Sequence, residues 1–98
     1  MPGWILESVG ETRALLRLPP GAVKTVGRTA RADFILEAGL VSRLHCRLAV
    51  EESDQLVVQD LGSTNGTQVN GKRVDRSVIR VGDTLSIGRV DFRVSHAE

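Results

Sequence analysis

The chain has 98 residues, 41% hydrophobic and 26% charged, with a formal net charge of +1. That length supports one core and not two, since a chain of this size buries roughly two-thirds of its unfolded surface. The mixed signs and the three aromatics, Trp4, Phe34 and Phe92, argue against a nucleic-acid binder, and the apolar runs fall far short of the ~20 residues that cross a bilayer as a helix.

Strands are predicted in chain order over residues 3–9, 12–18, 23–28, 33–37, 44–51, 55–61, 67–70, 72–74, 77–81, 83–88 and 91–95. The warrant is a hydrophobic period near two. Leu56 and Val58 alternate with Val57 and Gln59, Leu85 and Ile87 with Thr84 and Ser86, and Phe92 and Val94 with Asp91 and Arg93. Turn residues cut the strands at short intervals: Pro19-Pro20-Gly21, Gly39, Gly62, Gly66, Asn70-Gly71, Gly82-Asp83 and Gly88. Asn70-Gly71 is a strong hairpin signal, because both central residues of a type I′ turn need positive φ. Thr29 to Glu37 has some helical character, but Phe34-Ile35-Leu36 reads better as a short strand. Eleven short strands with frequent turns, and no convincing helix, predict an all-β sandwich or barrel in one domain over residues 1–98, with its core at about residues 4–95.

The N-terminus lacks the charged start and apolar stretch of a secretion signal. Cys46 is the single cysteine, so neither an internal disulfide nor a cysteine zinc site is expected. A reducing, cytoplasmic compartment fits, or the nucleus in a eukaryote. Both ends read as strands, so no linker is expected.

Three loops gather unusual chemistry. The first follows Gly27-Arg28, the second holds Ser42-Arg43-Leu44-His45, and the third is Gly62-Ser63-Thr64-Asn65-Gly66-Thr67. The third and sixth predicted strands end at the first and third loops, and the fifth begins at the second. The loops can therefore meet at one end of a sandwich. Arg28 and Arg43 carry guanidinium donors suited to phosphate oxygens. Ser42 and Thr64 add hydroxyls, and Asn65 offers a donor and an acceptor for a peptide backbone. A phosphate with a charge of about −1.5 to −2 and three acceptor oxygens can use all of these donors, with no metal or cofactor.

Those residues fall in a recognisable order: Gly27-Arg28, Ser42-x-x-His45, Asp60-Leu61-Gly62-Ser63-Thr64-Asn65-Gly66-Thr67, then Val69-Asn70-Gly71. In this the sequence resembles the forkhead-associated (FHA) domain. The resemblance implies an eleven-stranded sandwich of two sheets whose loops bind phosphothreonine in a partner, a Ser/Thr kinase or its substrate. It implies that Arg28 pairs with the phosphate, that Ser42 donates its hydroxyl and that Arg43 adds a second positive contact. Thr64 lies beside the phosphate, and Asn65 and Asn70 hold the peptide main chain. Gly27, His45, Asp60, Gly62, Gly66 and Gly71 support the loops. A monomer, without nucleic acid or membrane, is expected. Leu40 stands where some relatives carry a basic residue that reads an acidic side chain, so an apolar preference is expected there instead.

Two rival functions differ in class. Ser42, His45 and Asp60 are the residue types of a hydrolase triad, but Ser42 is not in a Gly-x-Ser-x-Gly elbow. Nor does the third loop end in the Gly-Lys-Ser/Thr of a nucleotide-binding phosphate loop. The runner-up is a scaffold of the same fold that binds partners without phosphate.

Overall fold

A computed structural model describes residues 2–98. The alternating apolar positions form eleven strands: β1 (Gly3–Val9), β2 (Leu15–Leu18), β3 (Val23–Gly27), β4 (Phe34–Ile35), β5 (Cys46–Val50), β6 (Leu56–Asp60), β7 (Thr67–Val69), β8 (Lys72–Val74), β9 (Arg76–Ile79), β10 (Thr84–Ile87) and β11 (Val90–Ala97). One sheet has six strands in the order β2-β1-β11-β10-β7-β8, and the other has five in the order β4-β3-β5-β6-β9. All pairings are antiparallel except β3 with β4. This is the expected all-β sandwich.

The period-two pattern explains which face each strand buries. Leu6, Leu18, Leu85, Ile87, Phe92 and Val94 come from the larger sheet, and Val26, Cys46, Leu48, Val50, Leu56, Val58 and Ile79 from the smaller one; all join one core cluster. Val57 departs from the pattern. It faces outward from β6 yet is only 4% exposed, and Ala49 beside it on β5 is also buried. Across β3, β5, β6 and β9, the register aligns Val23, Ala49, Val57 and Val78 in one transverse row, and these apolar neighbours shield one another.

Several predicted strands are shortened. Residues 12–14 leave the pairing because Ser8 captures Ala14: the Ser8 amide donates to the Ala14 carbonyl at 2.9 Å, and Ser8 Oγ accepts the Ala14 amide at 2.7 Å. The strand predicted at 33–37 shrinks to Phe34–Ile35. Asp33 there bonds Thr25 instead: Asp33 Oδ2 accepts the Thr25 amide at 2.9 Å, and the Asp33 amide donates to Thr25 Oγ1 at 3.0 Å. That brace closes the loop carrying Arg28.

The first and last strands lie side by side, with Gly3 opposite Ala97. Trp4 Nε1 donates to the Asp54 carbonyl at 3.0 Å, in the turn between β5 and β6. His96 stands edge-on to Trp4, with ring centroids 4.9 Å apart, and its Nε2 lies 2.7 Å from Asp54 Oδ2. Trp4 is therefore a core residue that also ties the two sheets together at the end where β6 begins.

Candidate functional site

The three polar loops meet at the opposite end, where β3 and β6 finish. The close approach is permitted by Gly27. A Cβ built there would lie 2.1 Å from the Arg43 carbonyl oxygen, so only glycine lets β3 pass the second loop. Two backbone bonds then fix the register: the Arg28 amide donates to the Ser42 carbonyl at 2.9 Å, and the His45 amide to the Val26 carbonyl at 2.8 Å. Arg28 is the first residue beyond β3, and its side chain projects from an anchored backbone into solvent.

His45 is fully buried and joins the second loop to the third. Its Nδ1 accepts the Ser42 amide at 3.0 Å, and its Nε2 faces the Gly66 carbonyl at 2.8 Å. An acceptor on one side and a donor on the other require the neutral ring with its proton on Nε2. Ser42 Oγ in turn accepts the Thr64 amide at 3.1 Å, which leaves the Ser42 O–H as a donor for another group. Asn65 reaches back as well, its Nδ2 donating to the Leu40 carbonyl at 3.1 Å. One amide hydrogen and the Oδ1 of Asn65 remain available. Leu40 presents that carbonyl from a left-handed backbone, with φ of 72°.

Asp60 builds the third loop from beneath. Its Oδ2 accepts the amides of Gly62 and Ser63, each at 3.0 Å, and its Oδ1 accepts the hydroxyls of Ser63 and Thr67. Ser63 Oγ also accepts the Gly66 amide at 3.0 Å. Burial pushes the Asp60 carboxyl up, but the Ser63 and Thr67 hydroxyls and the Ser63 amide outweigh it and hold the group below its ordinary value. Gly62, with φ of 72°, closes the turn that Asp60 begins.

The structure thus brings Arg28, Ser42, Arg43, Thr64 and Asn65 onto one set of interlocked loops, with Gly27, His45, Asp60, Gly62 and Gly66 beneath them. Asn70 lies outside those loops, in the β7–β8 hairpin. It and Gly71 form the β7–β8 turn with φ of 52° and 80°. Its Oδ1 accepts the Thr84 amide at 2.9 Å, and its Nδ2 donates to Asp83 Oδ1 at 3.0 Å. Both polar atoms of its side chain bond at the start of β10, which leaves one amide hydrogen of Asn70.

The triad arrangement is not made. Ser42 meets His45 through its backbone amide and not its hydroxyl, and the far nitrogen of His45 meets a carbonyl, not the Asp60 carboxylate. Cys46, next to His45, is buried, and desolvation followed by the nearby Asp60 charge pushes its thiol far up. Among the described residues the ion pairs are Arg76 with Glu51 and His96 with Asp54. The guanidinium groups of Arg28 and Arg43 therefore have no carboxylate partner.

The chain has counterparts among known proteins. The sequence matches the FHA domain family over residues 24–88, which holds all three loops. The chain belongs to the FHA domain family. It is 42% identical over 75 residues to the ABC transporter ATP-binding/permease protein Rv1747 of Mycobacterium tuberculosis, a match covering 76% of this chain and 8% of that protein. It is 40% identical over 68 residues to the glycogen accumulation regulator GarA of the same species, covering 69% of this chain and 41% of GarA. The FHA domain described here thus corresponds to less than half the length of either relative. A solved structure from work on phosphothreonine-dependent FHA domain interactions superposes with a TM-score of 0.86 at 27% identity, covering 98% of both chains. Among the described residues no helix is long and apolar enough to cross a membrane.

Sequence reasoning missed one neighbour of the site. Arg73 on β8 lies against Gly66: a Cβ built at Gly66 would sit 2.8 Å from Arg73 Nε and 2.9 Å from Cζ. A signal was present. A two-residue Asn70-Gly71 turn sets Gln68 opposite Arg73, which puts Arg73 on the face that Gly66 shares with Gln68.

Proposed function

We propose that this FHA domain is a phosphothreonine-dependent peptide-binding module that acts in Ser/Thr-kinase signalling, and that it binds without catalysing a reaction. The observation that carries this reading is the Ser42–Thr64 bond. It occupies an acceptor site of the Ser42 oxygen and leaves its O–H facing the same loops as two unpaired guanidinium groups. A phosphate dianion is the group that can use an O–H and two guanidiniums together.

The roles are those the family resemblance implies, and the placement of the loops supports them. Arg28 pairs with the phosphate from an anchored backbone, Ser42 donates its hydroxyl, and Arg43 adds a second cation. Thr64 offers its hydroxyl beside them, and Asn65 holds the peptide main chain with its remaining donor and acceptor. Leu40, 41% exposed on the loop that Asn65 grips, supplies an apolar flank. Because the loops are bonded to one another before any ligand arrives, little ordering is left for binding to offset. Charge-assisted hydrogen bonds of about 1.5–3 kcal/mol each, less association costs, leave a net of about −8 kcal/mol, near micromolar. That strength suits a reversible contact inside the cell with a phosphorylated kinase or its substrate.

Titration calorimetry with a phosphothreonine peptide and its unphosphorylated twin tests the reading. Binding is expected only for the phosphorylated form, weakened by more than about 2 kcal/mol in Arg28→Ala with an unchanged melting temperature. Equal affinity of the twin peptides would favour a phosphate-independent scaffold.

A further inference from the structure

Arg73 is a cation that touches the site loops and has no place in the scheme above. Its position follows from the hairpin. The β7–β8 register sets Gln68 opposite Arg73 and Val69 opposite Lys72, so Arg73 points to the side of the hairpin on which Gly66 lies, two residues before Gln68. The contact is close. A Cβ on Gly66 would fall 2.8, 2.9 and 3.2 Å from Nε, Cζ and Cδ of Arg73. The guanidinium itself, and not only the side-chain stem, therefore lies over the Gly66 backbone. Gly66 is buried in a surface loop, while Arg73 is exposed.

What Arg73 lacks is an anion. Among the described residues, the acidic groups that pair with cations are Glu51 and Asp54, held by Arg76 and His96. Asp60, the carboxylate of the same loop, is bonded to Gly62, Ser63 and Thr67. A guanidinium that merely covered a glycine would need no charge. This one sits a single residue from Asn65, the proposed main-chain contact, and among the described residues no carboxylate pairs with it. The charge balance points the same way: a phosphate of about −2 is neutralised by Arg28 and Arg43, so Arg73 is surplus to it.

We infer that Arg73 reads a second anionic group on the ligand, an acidic side chain or a further phosphate flanking the phosphothreonine. This deepens the phosphothreonine reading and rests on it. Arginine suits the task, since its planar fork grips carboxylate and phosphate alike through paired N–H donors.

The test is a scan. Phosphothreonine peptides with an otherwise all-alanine sequence carry one aspartate, or one phosphoserine, at each flanking position in turn. Affinities are measured for the parent domain, Arg73→Gln and Arg73→Lys. The expected result is one position at which the anion strengthens parent binding about fivefold to tenfold. That gain vanishes in Arg73→Gln, while both proteins bind the all-alanine phosphothreonine peptide alike. Arg73→Lys keeps part of the gain. A larger gain from phosphoserine than from aspartate assigns the ligand to doubly phosphorylated segments, and an equal gain assigns it to acidic ones. The inference is overturned if no position gives a gain, if the gain survives in Arg73→Gln, or if Arg73→Gln weakens every peptide equally, which would make Arg73 a cover for Gly66 alone. If the parent domain ignores the all-alanine phosphothreonine peptide altogether, the proposed function fails first and the inference falls with it.

Discussion

The amide of Ser42 donates to Nδ1 of His45 at 3.0 Å, so the residue proposed to touch phosphate is positioned by a ring that ligand never reaches. The same ring meets the Gly66 carbonyl at 2.8 Å. One buried side chain thereby sets the spacing between two loops. In His45→Ala, the part-buried Ser42 amide and the buried Gly66 carbonyl lose their partners, and a cavity opens. A loss of stability of about 3 kcal/mol is expected, read by urea denaturation, together with weaker peptide binding at temperatures where the variant is still folded. A loss below about 1 kcal/mol would show that the loops hold their spacing without it.

Ser42→Ala separates the two duties of one hydroxyl. The variant loses the donor proposed for phosphate and also strands the exposed Thr64 amide, which water can reach. Affinity for a phosphothreonine peptide should fall by about 1.5–3 kcal/mol, while stability changes by less than about 1 kcal/mol because the stranded group is hydrated. Calorimetry and thermal melting read the two quantities separately. A large stability loss with intact affinity would reverse the assignment.

Glycines at two positions make opposite forecasts. Gly27→Ala drives a methyl to 2.1 Å from the Arg43 carbonyl oxygen, against backbone that cannot step aside. Destabilisation of about 2–4 kcal/mol and displacement of the Ser42–Arg43 loop are expected. Gly39→Ala meets nothing within 4 Å and has no left-handed φ, so it should be neutral or stabilising by up to about 1 kcal/mol. Chemical denaturation of the pair decides whether close approach, or mere flexibility, explains Gly27.

Acid should unfasten the third loop. The Asp60 carboxyl is held below its ordinary value of 3.8 in the folded protein. A depressed folded value means that the contribution is fully present above the unfolded value and is lost as pH falls through the folded one. Stability therefore drops below about pH 4, and Asp60→Asn should show a flatter profile in that window as well as lower stability at neutral pH. Parallel denaturation series from pH 2 to 7 check both expectations. Identical slopes for the two proteins would remove Asp60 from the account.

Much of this arrangement was legible in the residues. The strand count follows from an alternation that burial enforces, and the loop cluster follows from strands that end at the loops of Arg28 and Thr64 and one that begins after Ser42. Two features were not legible, for physical reasons. Asn70 carries the right chemistry for a peptide contact, but its partners Asp83 and Thr84 arrive from a strand more than ten residues away, and no local pattern announces them. The burial of Val57 on an outer face depends on cross-strand neighbours in β3, β5 and β9, which alternation along β6 cannot reveal. Arg73 was legible only indirectly, through the register that the Asn70-Gly71 turn sets. Strand ends were the least secure, because side-chain bonds such as those of Ser8 and Asp33 compete with the ladder for backbone groups.

The pairing of β1 with β11 has an architectural consequence. Gly3 and Ala97 are directly opposite partners, and Trp4 is bonded to the β5–β6 turn, at the far end of β6 from Asp60. The two tails of the domain thus leave together, on the side facing away from the loops of Arg28, Ser42 and Asn65. Such a unit can be joined to a larger polypeptide from one end of the sandwich, like a plug with both wires at the back, with those loops at the other end.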